Sequence, residues 1–490
     1  MRRLLLVMPL PMAVAMAYPT VAQAQATGPA AIGLTCNTVV EGQTGNCQLN
    51  LTAGAVQVQV DGGASSSVPV ADVSAPISVP TVDDKLVNGT RTINVTATYG
   101  GLSVSDHVTV TDNDKSCWDG SIIDVSATCP PQFTVTLQGR TPPIASNFDF
   151  NLGLTETGTT IPKGAAPDVV GAFRFICGGD GQILPDDPIV YPGQPGKSHL
   201  HQFYGNTGVN ASSTYESARA GGSSTCNSGS ATPVNRSGYW MPAMEDGTGN
   251  VVRPDYVSIY YKRRPATDPK CSLTSGDKQA IGNCVAIPHG LKFIMGFNML
   301  TMTNPTQNGS FHFNCQGPAG QGAVPGTYYN LVDAAAHCPY VPGAAKQNQL
   351  GAIISAPDCW DGKNLDVADH RSHMSYASYG SWGYLKCDAA HPFVVPTFQL
   401  GAWYTVDANV PKWHLASDMP GMVAGSTFHA DYLEAWDPNV KDLWTNNCIN
   451  KMLNCSAGEL GNGWHMNGSD KPGYGWLNPN RLVPLSSLGL

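Results

Sequence analysis

Three stretches of the 490-residue chain carry side chains that can move protons or hold a metal. The first runs from Asp187-Pro-Ile-Val190 to His199-Leu-His201-Gln202-Phe203. Alternate residues of an extended segment share a face. His199 and His201 would then stand about 6–7 Å apart, able to chelate a metal or to orient one another's proton partner. The second stretch, Cys359-Trp360 to His373, packs Asp361, Asp366, Asp369, His370, Arg371 and His373 into thirteen residues. The third is His429-Ala-Asp431-Tyr-Leu-Glu434-Ala-Trp436-Asp437. Each sets an acid and an imidazole beside an aromatic.

Two chemistries suit these residues. Glycoside hydrolysis needs one carboxylic acid to protonate the leaving oxygen and a second carboxylate as base or nucleophile. Asp369 and Asp431 are the expected pair and Asp187 the substitute, with His201, His370, His373 and His429 tuning or relaying protons. A lyase would use an imidazole or phenol to abstract a proton instead. Three imidazoles plus water would suit zinc or copper, from His199, His201 and one of His370, His373 or His429. Trp240, Trp360 and Trp436 offer flat faces to sugar rings, and His199, Gln202 and Arg371 offer hydrogen bonds. The plainer readings stand beside these. Asp369, His370 and Arg371 also suit an internal ion-pair network, and any single tryptophan suits core packing. A Ser-His-Asp hydrolase is disfavoured, because no Gly-x-Ser-x-Gly turn occurs among the strands.

These residues need a scaffold, and the pattern around them is β. Strand-like runs cover Tyr256 to Tyr261, Leu291 to Met295, Ala352 to Ser355 and Phe393 to Tyr404. One helix is expected over Asn439 to Leu453, with Asp437 as cap and Pro438 in its first turn. The expected main domain, 171–490, is a β-sandwich or jelly-roll-like fold with few helices. Before it, residues 116–170 have linker composition, with Pro130-Pro131, Pro142-Pro143 and a Cys117–Cys129 hook. Residues 27–115 read as an Ig-like antiparallel sandwich, in which Val56, Val58 and Val60 alternate with glutamines.

The start of the chain sets the compartment. Arg2 and Arg3 precede an apolar run from Leu4 to Ala17, and small residues at Ala22, Ala24 and Ala26 follow at signal-peptidase spacing. Residues 1–26 read as a cleaved signal peptide, and no later stretch approaches membrane length. The mature start, Gln25 or Thr27, disfavours the copper oxygenases of polysaccharide degradation, which use an N-terminal histidine as ligand. Fourteen cysteines fit a secreted or periplasmic protein. Cys36–Cys47, Cys117–Cys129 and Cys448–Cys455 are close enough to pair locally, and the pairing of the other eight stays open. With 13% charged residues and a net charge of −9, the chain has no feature for nucleic acid or nucleotide. Its 53 glycines and 37 prolines add a loop-rich character.

Two resemblances follow from quoted residues. His107-Val-Thr-Val-Thr-Asp-Asn-Asp114, with Val39-Val-Glu-Gly42 and Val82-Asp-Asp84, resembles a Calx-beta domain. That resemblance implies a calcium site at Glu41, Asp83, Asp84, Asp112 and Asp114, against the alternative that these acids only form turns. Asp187 to Phe203, Tyr239-Trp240-Met-Pro242, Pro288-His-Gly290, Cys359 to Tyr376, His391-Pro392 and His429 to Asp437 together resemble the domain-of-unknown-function family numbered nineteen ninety-six. The resemblance covers about 173 to 456 and implies a secreted protein acting at polysaccharide or cell-wall material, without implying a reaction. One departure stands out: the family usually has a basic residue shortly before its Asp-Pro-Ile-Val, where this chain has Pro185 and Asp186. A glycoside hydrolase is the leading expectation. A non-catalytic carbohydrate-binding or adhesion protein and a His-ligated metal-dependent enzyme are the alternatives.

Overall fold

The computed structural model describes residues 32–51, 54–61, 63–70, 74–83, 89–116, 122–128, 142–147, 153–164, 170–226, 233–303, 310–380, 383–469 and 477–489. The expected signal peptide, the Cys117–Cys129 hook and Asp84 lie outside the described residues. The chain divides into two units, Met1–Pro130 and Pro131–Leu490. Both are mainly β.

The first unit is a sandwich. A three-stranded sheet in the order Gly33–Cys36, Thr44–Asn50 and Ser74–Pro80 faces a five-stranded one built on Leu102–Thr111, Arg91–Tyr99 and Gly54–Val60. The alternation seen in the sequence is the cause, since Thr44–Asn50 and Ser74–Pro80 bury every second residue. Leu49, Ile77, Val56, Val95 and Val108 share one core. The sheets approach closely at Gly45, where an added Cβ would lie 2.5 Å from a Val108 methyl.

Eleven strands of the second unit build two facing sheets: β1 Gly171–Gly178, β2 Ile183–Leu184, β3 His201–Gly205, β4 Gly238–Pro242, β5 Tyr256–Arg263, β6 Lys292–Gly296, β7 Phe311–Gln316, β8 Gln349–Ser355, β9 Thr397–Thr405, β10 His429–Leu433 and β11 Asn454–Cys455. The larger sheet has the order β7-β8-β9-β5-β1-β11, and the smaller β2-β3-β4-β10-β6. Between them lies an aromatic core, where Phe398 of β9 stacks on Tyr239 of β4 and Tyr432 of β10 at 5.5 and 5.1 Å.

Every residue of β3, β4 and β10 is buried, so the smaller sheet is covered on both faces. Tyr204, Tyr239, Met241, Phe293 and Tyr432 turn to the large core. Phe203, Trp240, Ile294 and Leu433 turn the other way, into a smaller apolar cluster with Ile189, Val209 and Tyr215. The pairing register sets His201 opposite Pro242, Trp240 opposite Asp431 and Gly296 opposite His429. His201, His429 and Asp431 therefore stand on that second face, at one end of it.

Three local expectations change. The run from Phe393 to Tyr404 breaks into Phe393–Val394 and β9, because Pro396 has no N–H for a ladder. The helix begins at Pro438 under the Asp437 cap as expected, but runs only to Trp444 and continues as a wider turn to Ile449. The left-handed backbone at Met452 (φ 55°) and the Cys448–Cys455 bridge turn the chain into β11 instead. The stretch expected as linker joins the second unit well before residue 171. Leu154–Glu156 pairs with Trp464–Met466, and Leu154 is buried in the large core.

Six disulfides join described cysteines: 36–47, 177–226, 271–284, 315–338, 359–387 and 448–455. The four bridges whose pairing the sequence left open each join nearest neighbours along the chain. No helix of the described residues is long and apolar enough to cross a membrane.

Candidate functional site

His201 enters the site as the first residue of β3, and His429 as the first residue of β10, one strand beyond β4. His199 arrives from the bend just before β3, not from the strand itself. The bend brings it closer than an extended segment would: the His199 and His201 ring centres lie 4.2 Å apart. His429 stands 5.1 Å from His199 and 5.9 Å from His201. One ligand atom from each of the three imidazoles falls within 4.8 Å of the others.

Two carboxyl groups join them. Ligand atoms of Asp187, His201 and Asp431 also lie within 4.8 Å of one another. Asp187 is 4% exposed, and its Oδ1 accepts the N–H groups of Ile189 and Val190 at 2.8 and 3.0 Å. Those bonds close the Asp187-Pro-Ile-Val turn and leave Oδ2 unused by it. Asp431 is 1% exposed and neither of its oxygens has a hydrogen-bond partner. It faces Trp240 across the sheet, and Trp240 in turn stacks on Phe203.

The protonation states follow from burial. Desolvation pushes His199 down to about 4, while burial and the neighbouring imidazole charges hold His201 and His429 well below the usual range. Burial pushes Asp187 up to about 6 against its two backbone hydrogen bonds. Asp431 is held well above the usual carboxylate range, first by burial, then by the charge of Asp187, with Arg371 opposing. A low-dielectric pocket disfavours every isolated charge, so the imidazoles are neutral and keep their lone pairs.

The backbone fixes which nitrogen carries each lone pair. His201 Nδ1–H donates to the Asp186 carbonyl at 2.9 Å, and His429 Nδ1–H donates to the Thr427 carbonyl at 2.8 Å. Nε2 is then the bare nitrogen of each ring. Asp186, which stands where a basic residue was expected, also braces the loop: its carboxylate accepts the N–H groups of Gly196 and Ala211. No motif in the sequence announces a backbone carbonyl as an orienting partner. The site residues themselves were legible, and these partners were not.

The stretch from Asp361 to His373 docks on the outer edge of β6. Lys292 and Ile294 donate their N–H groups to the carbonyls of Leu365 and His370, and His373 Nε2–H donates to the Lys292 carbonyl. Arg371 donates to the carbonyls of Gly296 and Phe297 at 3.1 and 2.8 Å. His370, left-handed at φ 56°, is held by Asp366 at 2.7 Å. Asp369 does not reach the cluster. Its Oδ1 accepts the Arg371 and Ser372 N–H groups and the Ser372 hydroxyl, so it shapes an exposed turn. The expected Asp369–Asp431 pair is thus replaced by Asp187–Asp431, and His370 and His373 serve the docked edge.

The expected sugar platforms are also relocated. Trp240, Trp360 and Trp436 are 0%, 1% and 0% exposed, which leaves no face for a ring to stack on. Trp436 packs edge-on to Phe175 and donates to the Tyr261 hydroxyl. Gln202 points to the opposite face of the sheet, where it donates to the Gly179 carbonyl. Glu434 and Asp437, from the third stretch, anchor the helix: Glu434 pairs with buried Lys441 at 2.8 Å and Asp437 with buried Arg219 at 3.2 Å. In the first unit Glu41, Asp112 and Asp114, three of the five acids expected around calcium, have ligand atoms within 4.8 Å of one another. Arg91 lies 2.6 Å from Glu41 and supplies countercharge there.

The model of the domain of unknown function DUF1996 matches residues 187–436. The chain belongs to this family. The match opens on Asp187 and closes just beyond Asp431, so all five clustered residues lie within the DUF1996 domain. No curated protein matches the chain. An engineered structural-genomics protein of known crystal structure is 19% identical over 17% of this chain and 21% of its own, with a TM-score of 0.12. This chain thus spans about a fifth of that protein's length, and the likeness carries no argument.

Proposed function

We propose that the DUF1996 unit is an extracellular polysaccharide-cleaving enzyme, hydrolytic in type, with its reaction centre at Asp187, Asp431, His199, His201 and His429. The supporting observation is the convergence of five ionisable side chains from separate segments with acceptor atoms left unused, one of the carboxylates buried without a donor. Groups with strongly displaced proton affinities in one site are the usual mark of acid–base work. Asp187 and Asp431 stand closer than the about 6.5–9.5 Å an inverting glycosidase needs for water between its carboxyls. A pair this close suits either a retaining displacement or joint activation of one water. His199, only partly buried, is the member toward which substrate would approach. The disulfide-rich chain fits work in an oxidising compartment. The first unit, Calx-beta-like in its acidic loops, would serve as spacer or anchor.

The test uses the purified full chain against plant, fungal and bacterial polysaccharides, reading reducing ends and product mass. Asp187→Asn and Asp431→Asn keep the shape of each side chain and should lower the rate by on the order of 10²-fold or more. Cleavage unchanged in both variants would remove the pair from the reaction. Binding without cleavage by the wild type would favour the second reading, a carbohydrate-binding protein. That reading draws on a hollow of about 300 Å³ lined by the neutral amides and hydroxyls of Asn206, Asn210, Ser212, Ser213 and Ser217.

A further inference from the structure

We infer that His199, His201 and His429, together with the carboxylate of Asp431, hold one divalent first-row transition-metal ion. This deepens the reading above and rests on the same cluster being the working site.

Four observations carry it. Ligand atoms of the three imidazoles already lie within 4.8 Å of one another, as do those of Asp187, His201 and Asp431. Metal–nitrogen bonds of about 2.0–2.1 Å would draw tetrahedral donors to roughly 3.4 Å apart, a shift that small side-chain rotations supply. The Nε2 atoms of His199 and His201 are buried without a hydrogen-bond partner, and both oxygens of Asp431 are in the same state. Buried polar atoms are nearly always paired, so these orphaned atoms, in two triads that share His201, call for a proton or a cation, and one ion between the triads would satisfy them together. The basic side chain whose charge acts on Asp431 makes no hydrogen bond to it: the Arg371 guanidinium donates to the Gly296 and Phe297 carbonyls.

Orientation is the fourth observation. A metal-bound imidazole is typically locked by donating its other ring N–H to a carbonyl or carboxylate. His201 and His429 each do so, to Asp186 and Thr427. Gly296, opposite His429 at φ 79°, protects this placement, because an added Cβ would lie 2.9 Å from the His429 Cα.

The donor set selects the ion. Calcium and magnesium prefer all-oxygen shells, whereas imidazole nitrogen suits zinc, copper, iron and nickel. With the three imidazoles and one carboxylate filling a tetrahedral shell, a water could enter only as a fifth ligand, and Asp187, clustered with His201 and Asp431, would be the group placed to take its proton. That water's O–H bond would break with its proton passing to Asp187, and the ion would supply the positive charge that stabilises the hydroxide left behind.

The test needs no substrate. The full chain is stripped with chelator, dialysed and titrated separately with zinc, copper, manganese and calcium. One equivalent of zinc or copper per chain is expected, with manganese weaker and calcium failing to displace that equivalent. The copper form should give an electron paramagnetic resonance spectrum with coupling to three imidazole nitrogens. His201→Ala and His429→Ala should weaken binding at least tenfold. His199→Ala, at the partly exposed position, should do the same without loss of folding, and so keeps the test open if the buried variants misfold. Wild-type protein that takes up neither zinc nor copper, or variants that bind them as the wild type does, would overturn the inference. Metal uptake without cleavage of any polysaccharide would sink the functional proposal alone, and cleavage by a protein that takes up no zinc or copper would sink the metal alone.

Discussion

At Asp431 a carboxyl group faces Trp240 on a closed sheet surface, with no donor within hydrogen-bonding reach. Burying such a group unpaired is costly by several kcal/mol, and that cost must be met by a proton or a cation. Asp369, of the same type and also within two residues of a histidine in the sequence, has three donors on one oxygen and an exposed turn around it. The two residues should therefore respond differently to the same change. Asp369→Ala removes the turn's acceptor and should destabilise the unit by about 1 kcal/mol while leaving metal uptake and cleavage unchanged. Denaturant unfolding alongside a metal titration checks both halves. Loss of metal uptake in that variant would mean that Asp369 reaches the cluster after all.

At the scale of elements, the stretch 361–373 acts as a cover for an open edge. β6 ends the smaller sheet, and an uncovered edge would present free N–H and C=O groups. Leu365, His370, Arg371 and His373 occupy that edge, and Asp366 ties the cover down through Lys292 at 2.9 Å and His370 at 2.7 Å. Burial alone would raise the affinity of Asp366 for a proton. The bonds and charges of His370 and Lys292 outweigh it and hold the carboxyl below its ordinary value of 3.8. A carboxyl with a depressed folded pKa adds stability that is fully present above the unfolded value. That stability is lost as pH falls through the folded one. Hydrogen exchange at the Lys292 and Ile294 amides should therefore accelerate as pH drops below 3.8, beyond the intrinsic pH dependence. Asp366→Asn should show weaker protection at neutral pH and no such acid step. Unchanged protection in acid would show that the cover is held by its backbone bonds alone.

For the whole molecule, the disulfides set how far unfolding can spread. The Cys177–Cys226 bridge closes a separation of 49 residues and ties the end of β1 to a loop far along the chain, whereas Cys448–Cys455 spans 7. By the chain-entropy rule the first restricts the unfolded state by about 4 kcal/mol and the second by about 2 kcal/mol. Paired Cys→Ser replacement at 177 and 226 should thus lower the unfolding midpoint more than replacement at 448 and 455. Equal losses would mean that local packing, not loop closure, sets the effect.

The sequence by itself determined the β class and the alternating strands of the N-terminal sandwich, and it offered the five clustered residues within a wider set of candidates. Strand faces and helix caps are written in spacing two to four residues long, which a chain reads locally. Asp187, His199, His201, His429 and Asp431 were visible because acids and imidazoles are rare in a chain with so little charge. Which of them meet was decided only in three dimensions. His201 and His429 are brought side by side by β4 between them, and no local pattern encodes that register. The same holds for the tryptophans: an aromatic side chain has one composition signal whether it faces sugar or core, and only the second sheet behind it settles which. Asp369 was mistaken for a site residue for a related reason. Its neighbours in sequence look like those of Asp431, and the difference lies in which face of the fold each one occupies.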